Sequence, residues 1–245
     1  MIYPLVIARE LSYAYPDGQQ ALLGLNFGIH HGESVGVIGS NGAGKSTLLL
    51  HLNGVLRASA GEVRIGDLAV NKTNLLDIRS SVGLVFQDPD DQLFMPTVFD
   101  DVAFGVINRG CSATEVQSQV ARALATVGAS HLAGRPPYRL SGGEKRAVAI
   151  AGVLAMSPSV LVMDEPSAGL DPKARRRLIT LLKGFEHTKI IATHDLDLVL
   201  DLCSRVLVMR EGRIEADGTA QEIFADGALL ERCHLELPLS LQQRT

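Results

Sequence analysis

Val35-Gly36-Val37-Ile38-Gly39-Ser40-Asn41-Gly42-Ala43-Gly44-Lys45-Ser46-Thr47 decides the fold of this 245-residue chain. The first four residues read as a buried strand. The nine from Gly39 to Thr47 match the pattern G-x-x-x-x-G-K-S/T, and Ser46 to Leu52 supplies helix formers. A strand that turns through glycines into a helix N-terminus makes an anion site, because the loop N–H groups point inward and the helix end carries partial positive charge. Lys45 brings a full charge to terminal phosphates, and the Ser46 hydroxyl is placed to hold Mg2+. The stretch predicts a nucleotide-binding α/β domain.

Outward from it, Leu23, Leu25, Phe27 and Ile29 alternate with Gly24, Asn26 and Gly28, which predicts a strand before the turn His31-Gly32-Glu33. Further strands are expected at Gly61 to Ile65 and Val82 to Phe86. From Asp100 to about Ala155 the pattern turns helical: Ser112 and Glu115 make a capping-box pair, and Val116, Val120, Leu124 and Val127 follow at helical spacing. Alternation then resumes with strand Val160 to Met163, helix Lys173 to Lys183, strand Lys189 to Thr193, helix Leu196 to Leu202 and strand Arg205 to Met209. Strands alternating with helices predict a parallel sheet covered on both faces. From Gly218 a short helix and a Leu-rich tail are expected.

The composition, 46% apolar and 20% charged with a net charge of -4, is that of an ordinary globular protein. Without a Lys/Arg block there is no electrostatic footprint for nucleic acid. Cys111, Cys203 and Cys233 have neither metal-ligand nor redox spacing and read as reduced thiols. Met1-Ile2-Tyr3-Pro4 does not read as a signal peptide, and the longest apolar run, Ala147 to Met156, is about half a bilayer span. A membrane role would therefore require other chains. His30-His31, read as adjacent strand residues on opposite faces, cannot chelate one metal. The basic run Lys173 to Arg177 reads as a solvated helix face.

Two further stretches carry chemistry. Val160-Leu161-Val162-Met163 ends in Asp164-Glu165, two carboxylates at the carboxyl end of a buried strand, where open parallel sheets bind ligands. Asp164 is expected to reach Mg2+ through water, and Glu165 to orient and polarise an attacking water. A carboxylate is a weak base at neutral pH, and phosphoryl transfer needs positioning more than basicity. Leu140-Ser141-Gly142-Gly143-Glu144 opens the helix over Ala147 to Met156. With free N–H groups, a hydroxyl and a favourable dipole, it is a second anion site in one chain.

These three stretches, in this order, resemble the ATP-binding cassette ATPases over nearly the whole chain. The resemblance implies an α/β P-loop NTPase (RecA-like) with a parallel sheet core, an antiparallel β subdomain and a helical subdomain at about 92–155. The nucleotide-binding unit is expected over 1–224, with a short tail at 225–245. ATP and Mg2+ are the implied cofactors. Ser141, Gly142, Gly143 and Glu144 are implied to contact the γ-phosphate held by a partner subunit, which places two composite sites across a two-fold axis. Gln87 matches the glutamine that touches Mg2+ and senses the transporter. Ser167-Ala168-Gly169-Leu170-Asp171 matches the loop linking the two sites. His194 matches the histidine that contacts the γ-phosphate, and Tyr15 the aromatic that stacks on adenine, with Tyr13 as its alternative. The resemblance assigns catalysis to Glu165, His194 and Lys45.

Val85-Phe86-Gln87-Asp88-Pro89-Asp90-Asp91-Gln92-Leu93-Phe94, and Glu144-Lys145-Arg146 with the apolar run after it, are similar to ATPases of energy-coupling factor importers of vitamins or transition metals. His194-Asp195-Leu196-Asp197-Leu198-Val199-Leu200-Asp201-Leu202-Cys203 resembles the cobalt and nickel branch. The resemblance implies ATP hydrolysis at the cytoplasmic face of the membrane, by a homodimer or half of a heterodimer. Membrane subunits would dock near Gln87 to Phe94, with Asp90, Gln92 and Phe94 as contacts. A soluble cassette ATPase acting on nucleic acid or ribosomes is the alternative, and usually carries two cassettes or a coiled-coil insert. The chain departs from the broad family in having Glu144 where glutamine is usual, and its tail is shorter than this subgroup's.

Overall fold

The computed structural model describes residues 4–242; residues 1–3 and 243–245, the outer ends of the two expected segments, lie outside the described residues. The chain enters through β1 (Val6–Ala14) and β2 (Gln20–Ile29), then passes to β3 (Ser34–Ile38) and α1 (Lys45–Leu52) before β4 (Ala60–Ile65) and β5 (Leu68–Ala69). The outer four strands form an antiparallel sheet in the order β2-β1-β4-β5. The turn at His31–Glu33 does not return β3 against β2. It hands the chain to a second sheet, in which β3 lies between two later strands. His30 and His31 sit in that turn and not on a strand, so the opposite-faces reading fails on its premise.

α2 (Leu75–Ser81) and β6 (Val82–Val85) precede a helical block of α3 (Val98–Asn108), α4 (Ala113–Thr126) and α5 (Gly142–Ala155). Each of these three helices starts on a side-chain cap: Thr97, Ser112 with Glu115, and Ser141 with Glu144. Val102, Val106, Val116, Val120, Leu124, Val148 and Ala151 pack into a core of their own. β7 (Val160–Asp164), α6 (Pro172–Lys183), β8 (Thr188–Ala192), α7 (Leu196–Leu202), β9 (Arg205–Arg210) and β10 (Arg213–Thr219) complete the second sheet. Its order is β10-β9-β3-β8-β7-β6, parallel except for β10, which turns back on β9.

α1 is the centre of the molecule. Leu48, Leu49 and Leu52 are fully buried, and their core joins the antiparallel sheet to one face of the parallel sheet. Burying each of these leucines stabilises the fold by about 1.5–3 kcal/mol, so the phosphate loop stands on a firmly packed helix. The opposite face of the sheet is covered by α6, α7, α8 (Ala220–Ala225) and α9 (Gly227–Arg232), and Phe224, Leu229, Leu230 and Cys233 share that single core. Packing thus runs without a break across residues 224 and 225. No described helix is long and apolar enough to cross a membrane.

Candidate active site

The carboxyl ends of β3, β7 and β8 open into a cleft of about 1170 Å³, the place where parallel sheets leave ligand space. It gathers Tyr15, the whole of Gly39 to Thr47, Gln87, Asp164, Glu165 and His194. Most of these residues meet there because β3, β8, β7 and β6 are neighbours in the sheet, while Tyr15 arrives on the loop between β1 and β2 of the other sheet.

The phosphate loop is shaped by close backbone approach. Gly44 caps α1 with φ 101°, and a Cβ there would lie 2.6 Å from the Ala21 carbonyl. Gly39 is held against the Met209 carbonyl, where a Cβ would meet it at 2.2 Å. Only glycine fits either position. The helix start has no side-chain cap and no acidic residue in its first turn, so its N–H groups are left for an anion. Lys45 Nζ donates to the Gly39 and Ser40 carbonyls at 2.8 and 3.1 Å. Burial pushes its pKa down, while the Glu165 and Asp164 carboxylates pull it back up. Tyr15 lines the cleft, its hydroxyl 2.9 Å from Thr47 Oγ1. Tyr13 turns its ring onto His51 instead, and does not line the cleft.

Across from the loop, Glu165 is buried with φ +44°, a left-handed backbone that a non-glycine residue adopts at a cost of about 1–3 kcal/mol. Its carboxylate accepts from Thr193 Oγ1 at 2.9 Å, from the His194 N–H at 3.1 and 3.2 Å, and lies 2.8 Å from His194 Nδ1. The His194 side chain is otherwise exposed, 71% open to solvent, so the ring faces the cleft with one nitrogen engaged. Asp164 is buried and its Oδ1 has no partner. Burial raises its pKa; the Ser46 hydroxyl lowers it, Glu165 adds to the rise, and Lys45 and Arg146 oppose it.

Ser141, Gly142, Gly143 and Glu144 do not line this cleft. They form the start of α5, where Ser141 N–H and Oγ–H both donate to Glu144 Oε2 at 2.8 Å. These hydrogen bonds hold the Glu144 carboxyl below the usual range.

Several participants were invisible in the sequence. Arg175 is not part of a solvated face: its Nε and Nη2 grip Asp195 at 2.7 and 2.9 Å, and Ser167 Oγ donates to the same carboxylate at 3.1 Å. Burial pushes the Asp195 carboxyl up, and Arg175, the Leu198 N–H and Ser167 more than reverse this. Gln92, expected at a docking surface, points inward and bonds the Ala149 carbonyl at 2.7 Å. Asp90 pairs with Lys145 at 2.6 Å, and Phe94 stands exposed, edge-on to Phe104. The tail returns to the cleft: His234 to Leu239 line it, and Asp197 accepts from the Leu239 and Ser240 N–H groups, both at 3.1 Å. No spacing rule announces a return of that kind.

The ABC transporter family model matches residues 22–168. An ABC transporter ATP-binding protein of Geobacter sulfurreducens is 61% identical over 242 residues, 99% of this chain and 97% of the relative. The energy-coupling factor transporter ATP-binding protein EcfA of Methanothermobacter thermautotrophicus is 49% identical over 239 residues, 96% of this chain and 77% of the relative. Among solved structures, cbiO1 from Clostridium perfringens, described as part of the ABC transporter complex cbiONQ, superimposes with a TM-score of 0.82 at 42% identity, covering 96% of each chain. A dimeric ATP-binding cassette, MJ0796 bound to ADP and Pi, superimposes with a TM-score of 0.80 at 27% identity, covering 88% of this chain and 98% of that one.

Proposed function

We propose, since this chain belongs to the ABC transporter family, that it is the ATP-hydrolysing subunit of an importer of the energy-coupling factor type. The observation that carries this reading is the Glu165 carboxylate, fixed by Thr193 and His194 across the cleft from an uncapped phosphate loop. Such a carboxylate orients a water for in-line attack on a γ-phosphate. ATP enters with adenine on Tyr15 and its phosphates on the Gly39 to Thr47 loop. Lys45 then exchanges the Gly39 and Ser40 carbonyls for β- and γ-phosphate oxygens. His194 holds Glu165 through one ring nitrogen and presents its other edge to the γ-phosphate.

The donor set fits a hard divalent cation: the Ser46 hydroxyl, the Asp164 carboxylate and the Gln87 amide oxygen are all oxygen ligands. The unpartnered, buried Asp164 Oδ1 supports that fit. Mg2+ there would neutralise charge developing on the phosphates, with Ser46, Asp164 and Gln87 holding it. Ser141, Gly142, Gly143 and Glu144 lie outside their own chain's cleft, which favours their use in trans. Two copies then enclose two ATP molecules across a two-fold axis. ATP binds the closed dimer better than the open one, and hydrolysis removes that preference, so the cycle performs work on attached membrane subunits.

Those subunits dock beside Gln87, where Phe94 and Phe104 present an exposed aromatic pair. The chain sits peripherally at the cytoplasmic face. The resemblance of the stretch His194 to Cys203 to the cobalt and nickel branch favours a cobalt or nickel ion, or a vitamin, as cargo, with selectivity held by the membrane subunits. Phosphate release by the purified protein, abolished in Glu165→Gln, tests the enzyme. Isolation from detergent-solubilised membranes tests the transporter, and recovery of soluble partners alone would sink it.

A further inference from the structure

Arg146 is a buried charge that the proposed chemistry leaves without a task. It is 4% exposed, its Nε has no hydrogen-bond partner, and burial pushes its pKa down against the opposing pull of Asp88 and Asp164. A guanidinium in such a place is costly to desolvate unless its donors are well used. Two of them are. Nη1 donates to the Phe86 carbonyl at 2.7 Å and Nη2 to the Gln87 carbonyl at 2.6 Å, so one rigid fork grips two consecutive peptide units.

The grip joins two parts of the molecule with different duties. Arg146 stands one turn into α5, five residues after Ser141, a separation of about 7.5 Å along a helix. Its target is the backbone of Gln87, the segment that faces the cation site and begins the docking surface. Neighbouring ties run in the same direction: Lys145 to Asp90 at 2.6 Å, and Gln92 to the Ala149 carbonyl at 2.7 Å with its own Oε1 receiving the Phe86 N–H at 3.3 Å. Of the three side chains only Arg146 is buried, and only it holds Gln87 itself.

We propose that Arg146 is a positioning residue that locks Gln87 to the start of α5, so that a shift of Gln87 on nucleotide or membrane-subunit binding is delivered to the Ser141 terminus that reads the partner's phosphate. The inference rests on the reading of Gln87 and Ser141 as parts of shared ATP sites. A helix turn is stiff and the fork has no slack, so the two ends respond as one body. A residue that merely filled space would contribute equally whether or not Gln87 could report on the cation.

The test uses the full chain carrying Glu165→Gln, with Mg2+ and ATP added and dimerisation followed by light scattering. Arg146→Met and Gln87→Ala are each expected to weaken dimerisation about tenfold or more, on the usual strength of hydrogen bonds to a charged donor. Because both act through one link, the double variant is expected to be no weaker than Gln87→Ala alone. ATP binding by the Arg146→Met monomer, measured without Mg2+, stays unchanged, because Arg146 does not line the cleft. Arg146→Lys, which keeps one donor, recovers part of the loss and stands in should the Met variant fail to fold. Additive losses, or an Arg146 variant that dimerises like its parent, overturn the inference alone. Failure of the Glu165→Gln parent to dimerise with ATP overturns the shared-site reading and this inference together.

Discussion

The starts of α1 and α5 are both serine- and glycine-rich helix termini, yet they are built in opposite ways. α1 opens on Gly44 with no side-chain cap and no acid in its first turn. α5 opens on a complete capping box in which Ser141 and Glu144 satisfy one another. An uncapped terminus leaves its N–H groups free for an anion. A satisfied one is stable in the lone protomer, and an incoming phosphate must compete with the Glu144 carboxylate for the Ser141 hydroxyl. On the function proposed above, the difference teaches how one chain would hold two anion sites and use only one of them until a partner arrives.

The largest expected effect removes the chemistry and leaves both termini intact. Glu165→Gln should cut phosphate release by about 10²–10⁴-fold, the usual contribution of a positioned acid–base group, while the ATP-bound dimer persists; near-normal turnover would take Glu165 out of its role. Next comes Ser141→Ala, which should lower hydrolysis by about 10²-fold, as losing a phosphate-facing donor does, with ATP affinity of the monomer unchanged. Weaker monomer binding in an equilibrium titration would break the contrast between the termini. Lys45→Ala should show the reverse signature, a monomer affinity about 10- to 100-fold lower.

Smaller effects sharpen the same comparison. Glu144→Gln keeps an acceptor for Ser141 but removes the charge, and should tighten ATP-dependent dimerisation about 2- to 5-fold, the scale of a charge at a helix end. An unchanged midpoint in sedimentation would mean that the carboxylate does not oppose the phosphate. Of similar size is Arg175→Ala, which breaks the pair with Asp195 and should lower Tm by about 2–4 °C for roughly 1 kcal/mol. Because the folded Asp195 carboxyl sits below its ordinary value, the pair's contribution is fully present above pH about 4. It is lost as pH falls through the lowered folded value, so the Tm gap should close only on the acid side.

Much of this site was legible because phosphate binding demands a local pattern. Gly39 to Thr47 had to follow an apolar strand and open a helix, and β3 and α1 lie where that rule puts them. Capping boxes are equally local, and the Ser112 and Glu115 pair formed as its spacing predicted. β1 and β10 were missed. β1 carries Arg9 and Glu10 within its run, and β10 alternates weakly with exposed Arg213, Glu215 and Asp217. β1 lies inside its sheet and β10 at the edge of the other, but strands with a polar face, wherever they sit, give little periodicity to read. Gln92 was expected at the docking surface because the resemblance places that surface after Gln87, and its side chain turns inward because the Ala149 carbonyl and the Phe86 N–H offer it partners. Arg175 was read with its basic neighbours, and Asp195 singled it out across a gap of 20 residues.

The sequence by itself determined the phosphate loop, the acidic pair, the second glycine-rich helix start and the alternation that makes a parallel sheet, since each depends on contacts between residues near in the chain. Only the tertiary structure decided that β2 and β3 belong to different sheets, that Thr193 and His194 clamp Glu165, that Arg146 ties α5 to Gln87, and that the tail comes back to the cleft. Those contacts join segments with no periodic relation. They exist because strand order and helix packing bring particular donors within 3 Å or so of particular acceptors, and burial then leaves those donors and acceptors no water to choose instead.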